Sequence, residues 1–312
     1  MKLHRRMARV VADEGFAGVW RQVRFKAHRV AGNSDKKYRR KVIDEYDNSV
    51  RNFERRVVDV DFPGLDRFYW YHTIDLGDGI ITPGVFDLRN ELGHYNFPND
   101  MSGMHVLDVG SATGFFAFEF EKRGASVTSV ELPSIADWDM PPGADRDLTL
   151  QELMNFHQAS SVEELHYLHL DGPFRFCHER LHSKVTRVYS TIYDLYRDRL
   201  NLRQFDLVFL GDMLLHVFSP LSALSAIAPL CRERLIVSQI IPDLDEERPL
   251  MLYTGGDSRS GDNRSWWLPN RTCFSQMLKR LGFQTVDFPG KFQGVSRSAG
   301  SIISRTIIHA TK

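Results

Sequence analysis

The stretch from His105 to Pro133 limits what this chain can fold into more tightly than any other. Val106 to Val109 is a short apolar run ended by Gly110. Phe115 to Lys122 reads as a compact helix with Gly124 as its stop, and Val127 to Val130 is a second apolar run. Two parallel strands joined by a helix cross over in the right-handed sense and leave a ligand crevice at the strands' carboxyl ends. The expected fold is therefore α/β, a doubly wound sheet with Gly110 to Gly114 at its crevice.

The turn and its flanking acids select the ligand. Gly110-Ser111-Ala112-Thr113-Gly114 lacks the middle glycine of G-x-G-x-x-G, which lets backbone approach a pyrophosphate. Asp108 would set a carboxylate beside the turn, which suits a cationic or amine-bearing ligand better than a phosphate. Glu131, 17 residues after Gly114, ends the second strand and is placed to accept from both hydroxyls of a ribose. A ribose without phosphates and with a cationic tail describes S-adenosylmethionine. Leu107-Asp108-Val109-Gly110-Ser111-Ala112-Thr113-Gly114 followed by Val130-Glu131 resembles motifs I and II of the class I S-adenosylmethionine-dependent methyltransferases. The resemblance implies S-adenosylmethionine as cofactor, bound by Asp108, Gly110, Ser111, Gly114, Phe115, Glu131, Leu132 and Gly211. It also implies that Ile192 and Asp194 flank the adenine, with Tyr193 as the alternative stacking residue.

Downstream, Val185 to Tyr189, Phe205 to Leu210, Arg234 to Ile241 and Phe283 to Phe288 read as further strands. Ser219-Pro220 starts one helix, and another runs from about Thr272 to Leu281. Ile302 to Ala310 is the last strand. It follows a short polar turn at Gly294 to Gly300, so it cannot be parallel to its predecessor, because a parallel return needs a crossover. The class I fold implied by the resemblance is a Rossmann-like sheet of seven strands with its last strand reversed. To it is added an N-terminal helical arm.

The charge is balanced, 40 basic against 40 acidic residues, but unevenly placed. Residues 1 to 56 carry 16 Lys and Arg against 7 Asp and Glu, leaving 24 against 33 beyond. Leu3, Met7, Val10 and Val11, then Val19, Trp20 and Val23, recur at helical steps, with arginines between them. Such an arm suits packing on its own domain or a second subunit, an anionic membrane surface, or RNA phosphates. Asn33 to Lys37 reads as a linker, and Lys41 to Arg56 as a charged helix. The expected division is a basic arm at 1–56, an aromatic lid at 57–100, and a catalytic domain at 101–312 with an insert at about 138–182. No apolar run approaches the roughly 18 residues that cross a bilayer, and no signal-peptide core is evident. Cys177, Cys231 and Cys273 are too scattered for a disulfide framework. The expected setting is the reducing cytoplasm, with membrane contact through the arm as the variant.

Phe68 to Gly79 runs from aromatics into turn residues and is expected to be a strand or hairpin leading to a lid. Tyr71 and His72, with Trp138 and Trp267, are the candidate acceptor-facing residues. The insert holds His157, His166, His169, Cys177, His178 and His182 without recurring ligand spacing, so no metal is expected. Phe205-Asp206-x-Val208-Phe209, Leu214-x-His216-x-x-Ser219-Pro220 and Leu278-Lys279-x-x-Gly282-Phe283 resemble the tRNA wobble-uridine 5-oxyacetyl methyltransferases over roughly residues 65 to 290. That resemblance implies a Tyr before the loop histidine and a basic lid in members using carboxy-S-adenosylmethionine. This chain has Leu215 and His72 instead, which implies plain S-adenosylmethionine. A hydroxyl acceptor needs a base, for which His216 is the candidate, with Asp212 second. The expected acceptor is a small molecule, lipid or glycan. The alternatives are a tRNA and a cofactor-binding protein without catalysis.

Overall fold

The computed structural model describes residues 34–195, 204–257 and 264–312; the amphipathic segments before Ser34 lie outside them. Its helices are α1 (Ser34–Arg56), α2 (Phe115–Lys122), α3 (Ala144–His157), α4 (Val162–His166), α5 (Gly172–Arg180), α6 (Pro220–Ile227) and α7 (Arg271–Arg280). The strands are β1 (His105–Val109), β2 (Ser126–Glu131), β3 (Thr186–Tyr189), β4 (Phe205–Gly211), β5 (Cys231–Gln239), β6 (Met251–Tyr253), β7 (Trp267–Pro269), β8 (Thr285–Ser296) and β9 (Ser301–Thr311). Seven of them form one sheet in the order β3-β2-β1-β4-β5-β9-β8, while β6 and β7 pair separately.

The first five strands are parallel, and β9 enters between β5 and β8 antiparallel to both, so the reversed last strand is β9. Neighbouring residues on one strand feed opposite layers. Val106, Leu207, Phe209 and Ile236 pack into one apolar cluster, and Leu107, Val109, Val208, Leu210, Leu235 and Val237 into the other. Burial on both faces explains why these strands are continuous apolar runs instead of alternating ones.

Two expectations need correction. The linker proposed at Asn33 to Lys37 is mostly helix, since α1 begins at Ser34. It is held to the body by Val42, Tyr46 and Phe53, whose spacing of three to four residues or its multiple keeps them on one face. The aromatic stretch forms no regular strand. It runs extended and meets residues 81–86 only through isolated bridges, His72 to Phe86 and Asp75 to Ile81. Thr82 takes the place of a ladder, its Oγ1 accepting from Ile74 N at 2.8 Å and donating to His72 O at 2.8 Å.

Candidate active site

The crevice lies at the carboxyl ends of β1, β2 and β4. Gly110 has φ 74° and Gly114 φ 89°, values that glycine adopts without steric cost. A Cβ on Gly110 would stand 2.9 Å from Met213 Cγ, and one on Gly114 would meet Phe118 and Phe174 at 2.7 Å. Asp108 is buried, takes the backbone N–H of Ala117 in the first turn of α2, and keeps its Oδ2 without a partner. Burial, then the nearby Glu131 charge, pushes its carboxyl up to about 8. Glu131 accepts from Ala112 N at 2.7 Å and from Leu132 N at 3.0 Å, one bond to each oxygen. Each oxygen retains a lone pair for a hydroxyl donor. Arg187, lying over Phe174 at 4.0 Å, supports Glu131 from behind at 3.9 Å.

Opposite this wall stand the lid and the last strand. His72 N donates to Thr113 Oγ1 at 3.2 Å, tying the lid to the glycine turn. Burial, then Arg305, pushes the His72 imidazole down to about 3, so it is neutral at pH 7. Burial, reinforced by Asp212, raises the Tyr71 phenol, and burial raises that of Tyr95. Arg305 reaches in from β9, donates through Nε to Asp212 Oδ2, and lies 4.9 Å over the Phe86 ring. Its Nη1 and the Asp212 Oδ1 are buried without partners. His216 hydrogen-bonds through Nδ1 to the Arg264 carbonyl.

The insert closes the third side. Asp139 Oδ2 accepts from the Tyr193 hydroxyl at 2.5 Å and from Phe218 N at 2.6 Å, and its carbonyl accepts from Trp266 Nε1 at 2.8 Å. One residue thereby joins the insert to the loop after β4 and to β7's approach.

Of the residues anticipated from sequence, Asp108, Gly110, Glu131, Leu132, Ile192, Tyr193, Gly211, Asp212, His216, Tyr71, His72 and Trp138 line a single cavity. Ser111, Gly114, Phe115, Asp194 and Trp267 do not. Ser111 bonds Ser129 beneath the turn, Asp194 accepts from Thr191, and Trp267 donates to Phe218 O. Cys177 is buried and His178 bonds the Val185 carbonyl; among the described residues no three His, Cys, Asp or Glu side chains converge as metal ligands would. Sequence reading missed Tyr69, Tyr95, Asp139, His169, Arg264 and Arg305, all on the cavity. Arg305 alone carried a signal, as the one charged residue between apolar runs of the last strand.

A sheet in this order with a reversed ninth strand, a glycine turn after Asp108 and Glu131 across from it defines a class I S-adenosylmethionine-dependent methyltransferase. Residues 85–287 match the family model described as Methyltransferase domain, and the chain belongs to that family. It is 25% identical over 190 residues to a tRNA U34 carboxymethyltransferase of Idiomarina loihiensis, a match covering 60% of this chain and 48% of that protein. The chain thus spans about half the length of that relative. Similar solved structures include the N-terminal domain of EvdMO1 with S-adenosylhomocysteine, at 13% identity, TM-score 0.46, covering 84% of this chain and 96% of that one. Another is the 1,6-didemethyltoxoflavin-N1-methyltransferase of Burkholderia thailandensis, at 16% identity, TM-score 0.43, covering 92% of each chain.

Proposed function

We propose that the chain methylates a hydroxyl of a small molecule, lipid or glycan, with Glu131 receiving the ribose hydroxyls and Asp108 facing the cationic tail of the donor. The observation that carries this reading is the unpartnered buried Oδ2 of Asp108 on the same cavity wall as Glu131. These residues fit an adenosine with a positive tail and no phosphate. S-adenosylmethionine supplies an activated methyl on a sulfonium, so the chain's own work is orientation and water exclusion. Leu132, Ile192 and Tyr193 offer the adenine an apolar slot, Gly211 lines the same cavity from the end of β4, and Ser111, Gly114 and Phe115 shape the turn from beneath. The lid residues Tyr71 and His72 and the insert residue Trp138 enclose the acceptor's side, with Trp267 further out. The imidazoles on the cavity, His216 held by the Arg264 carbonyl among them, are the candidates to take a proton, and Asp212 to orient the acceptor. Residues 1–56 serve as a docking arm for a membrane or partner, 57–100 as the lid, and 101–312 as the catalytic domain with its insert at about 138–182. Lys36, Lys37, Arg40 and Lys41 are exposed on α1, as a docking surface requires.

Labelled S-adenosylmethionine, incubated with the protein and fractionated cell extract, is expected to mark one small-molecule or lipid fraction. Calorimetry that detects neither S-adenosylmethionine nor S-adenosylhomocysteine binding would overturn the reading. A second reading, carboxymethyl transfer to tRNA, draws on the Idiomarina relative and on Arg305, whose free Nη1 supplies the cation that the lid lacks. It requires tighter binding of carboxy-S-adenosylmethionine than of S-adenosylmethionine, and salt-sensitive tRNA binding.

A further inference from the structure

The insert brings two buried histidines to the cavity in series. His169 Nδ1 lies 3.0 Å from His157 Nε2, and both rings are buried. A neutral imidazole has one donor and one acceptor, so the bond has two possible directions. In one of them His157 Nε2 accepts, His169 Nδ1 donates to it, and the lone pair of His169 rests on Nε2. That atom bonds no described residue, and His169 lines the cavity.

The local structure fixes the ring. Tyr69 stacks on it at 4.4 Å and 5°, and Trp138 meets it edge-on at 5.7 Å. His169 sits in a π-helical turn, Tyr167–Asp171, a widened form found often at functional sites. Here the Leu168 carbonyl accepts from the lid, at Tyr69 N and 3.0 Å, so lid and insert are locked beside the histidine.

We propose that His169 is the general base of the reaction, receiving the acceptor's hydroxyl proton on Nε2, with His157 as the positioning residue that fixes its tautomer. The inference rests on the hydroxyl-methylation reading above. As the acceptor oxygen bonds the methyl carbon, the carbon–sulfur bond breaks and its electron pair stays on sulfur. The hydroxyl proton passes to Nε2, so the positive charge leaves sulfur and ends on the imidazolium, which returns the proton to water. Burial, then His157, Arg264 and His166, hold the His169 ring neutral at pH 7; burial likewise holds His157 neutral.

Spectra of the full chain with ¹⁵N-labelled histidine and S-adenosylhomocysteine bound are expected to show His157 and His169 both as Nδ1–H tautomers at pH 7. A His169 carrying its proton on Nε2 overturns the proposal. In label transfer from S-adenosylmethionine to cell extract, His169→Asn should lower kcat by about 100-fold or more while S-adenosylhomocysteine affinity stays within about twofold. His157→Gln can accept from His169, so it should keep at least about tenfold more rate than His157→Phe. Wild-type rate should fall on the acid side with a midpoint below 6.5, as the depressed imidazole gains its proton. Unchanged kcat in His169→Asn, or equal rates in the two His157 variants when both bind S-adenosylhomocysteine, overturns the assignment. If the wild-type chain binds no S-adenosylhomocysteine, the methyltransferase reading itself fails, and that result is separate from any effect of these variants.

Discussion

Asp108 holds a helix start with one oxygen and offers the other to the crevice. Because its carboxyl is pushed up to about 8, the free protein carries it mostly protonated at pH 7. A cation arriving beside it favours the carboxylate, so ligand binding should expel a proton. The release should grow toward one proton as pH falls below about 8, for as long as the bound carboxyl stays ionised, and vanish well above it, where the proton is already gone. Calorimetry of S-adenosylmethionine binding in phosphate and in Tris at pH 7 should therefore give different heats, and Asp108→Asn should remove the difference. Equal heats in the two buffers for the wild-type chain would refute this. Arg305 and Asp212 make the second residue-scale case. Arg305→Met leaves Asp212 without its buried counter-charge and should cost about 3–5 kcal/mol in chemical denaturation, while adding Asp212→Asn should recover part of that loss. Strictly additive losses would mean the pair is not coupled. Asp108 and Glu131 were readable in sequence because each sits at the end of an apolar run, where strand geometry fixes its direction. Arg305 stood out only as a charge between apolar runs; its place on the site was not readable, since its partner Asp212 is 93 residues away and only the reversed strand brings them together.

The lid shows what element-scale patterns miss. Residues 70–75 and 81–86 run side by side so closely that a Cβ on Gly84 would stand 2.0 Å from the His72 carbonyl carbon and the Thr73 nitrogen. The crossing is stitched by Val85 N to Trp70 O at 2.8 Å and Thr73 N to Phe86 O at 2.8 Å, and by Arg297 Nη1 to Gly84 O at 3.1 Å. Gly84→Ala should push the strands apart, lower the unfolding free energy by about 1–3 kcal/mol, and increase Trp70 quenching by acrylamide. An unchanged denaturation midpoint would show that the lid yields without strain. The aromatic run Phe68 to Tyr71 has neither a period of 2 nor of 3.6, because its rings pack on α1, on α5 and on one another, as with Phe53 on Trp70 at 5.0 Å. The central strands were legible for the opposite reason: β1 and β4 are buried on both faces, so their apolar runs stand out against flanking glycine and acid. The π turn in the insert leaves no composition signal, since it depends on Tyr69 taking the Leu168 carbonyl.

Across the whole molecule, folding holds several histidines neutral. Burial depresses His72 to about 3 and His157 to about 4, and carries His169 well below 6.5. In the unfolded chain these rings take up protons near pH 6.5, which the native state refuses until much lower pH. Stability contributed by their neutrality is therefore present above pH 6.5 and is lost as pH falls toward 4. Asp108 acts in the other direction, because the native state holds its proton up to about 8 while the unfolded chain gives it up near 3.8. Between pH 4 and 6.5 the unfolded chain thus binds up to three more protons through these three rings, with His166 and His309 depressed by burial in the same sense, and the native chain one more through Asp108. The three rings less Asp108 leave about two protons, a slope of at least about 2.7 kcal/mol per pH unit. Urea denaturation at half-unit steps over that range should trace the fall, and His157→Gln should reduce the slope by about one proton, or about 1.4 kcal/mol per pH unit. A flat profile would mean that these rings are hydrated and protonated in the native state, which would also remove the neutral imidazole that the base at His169 requires.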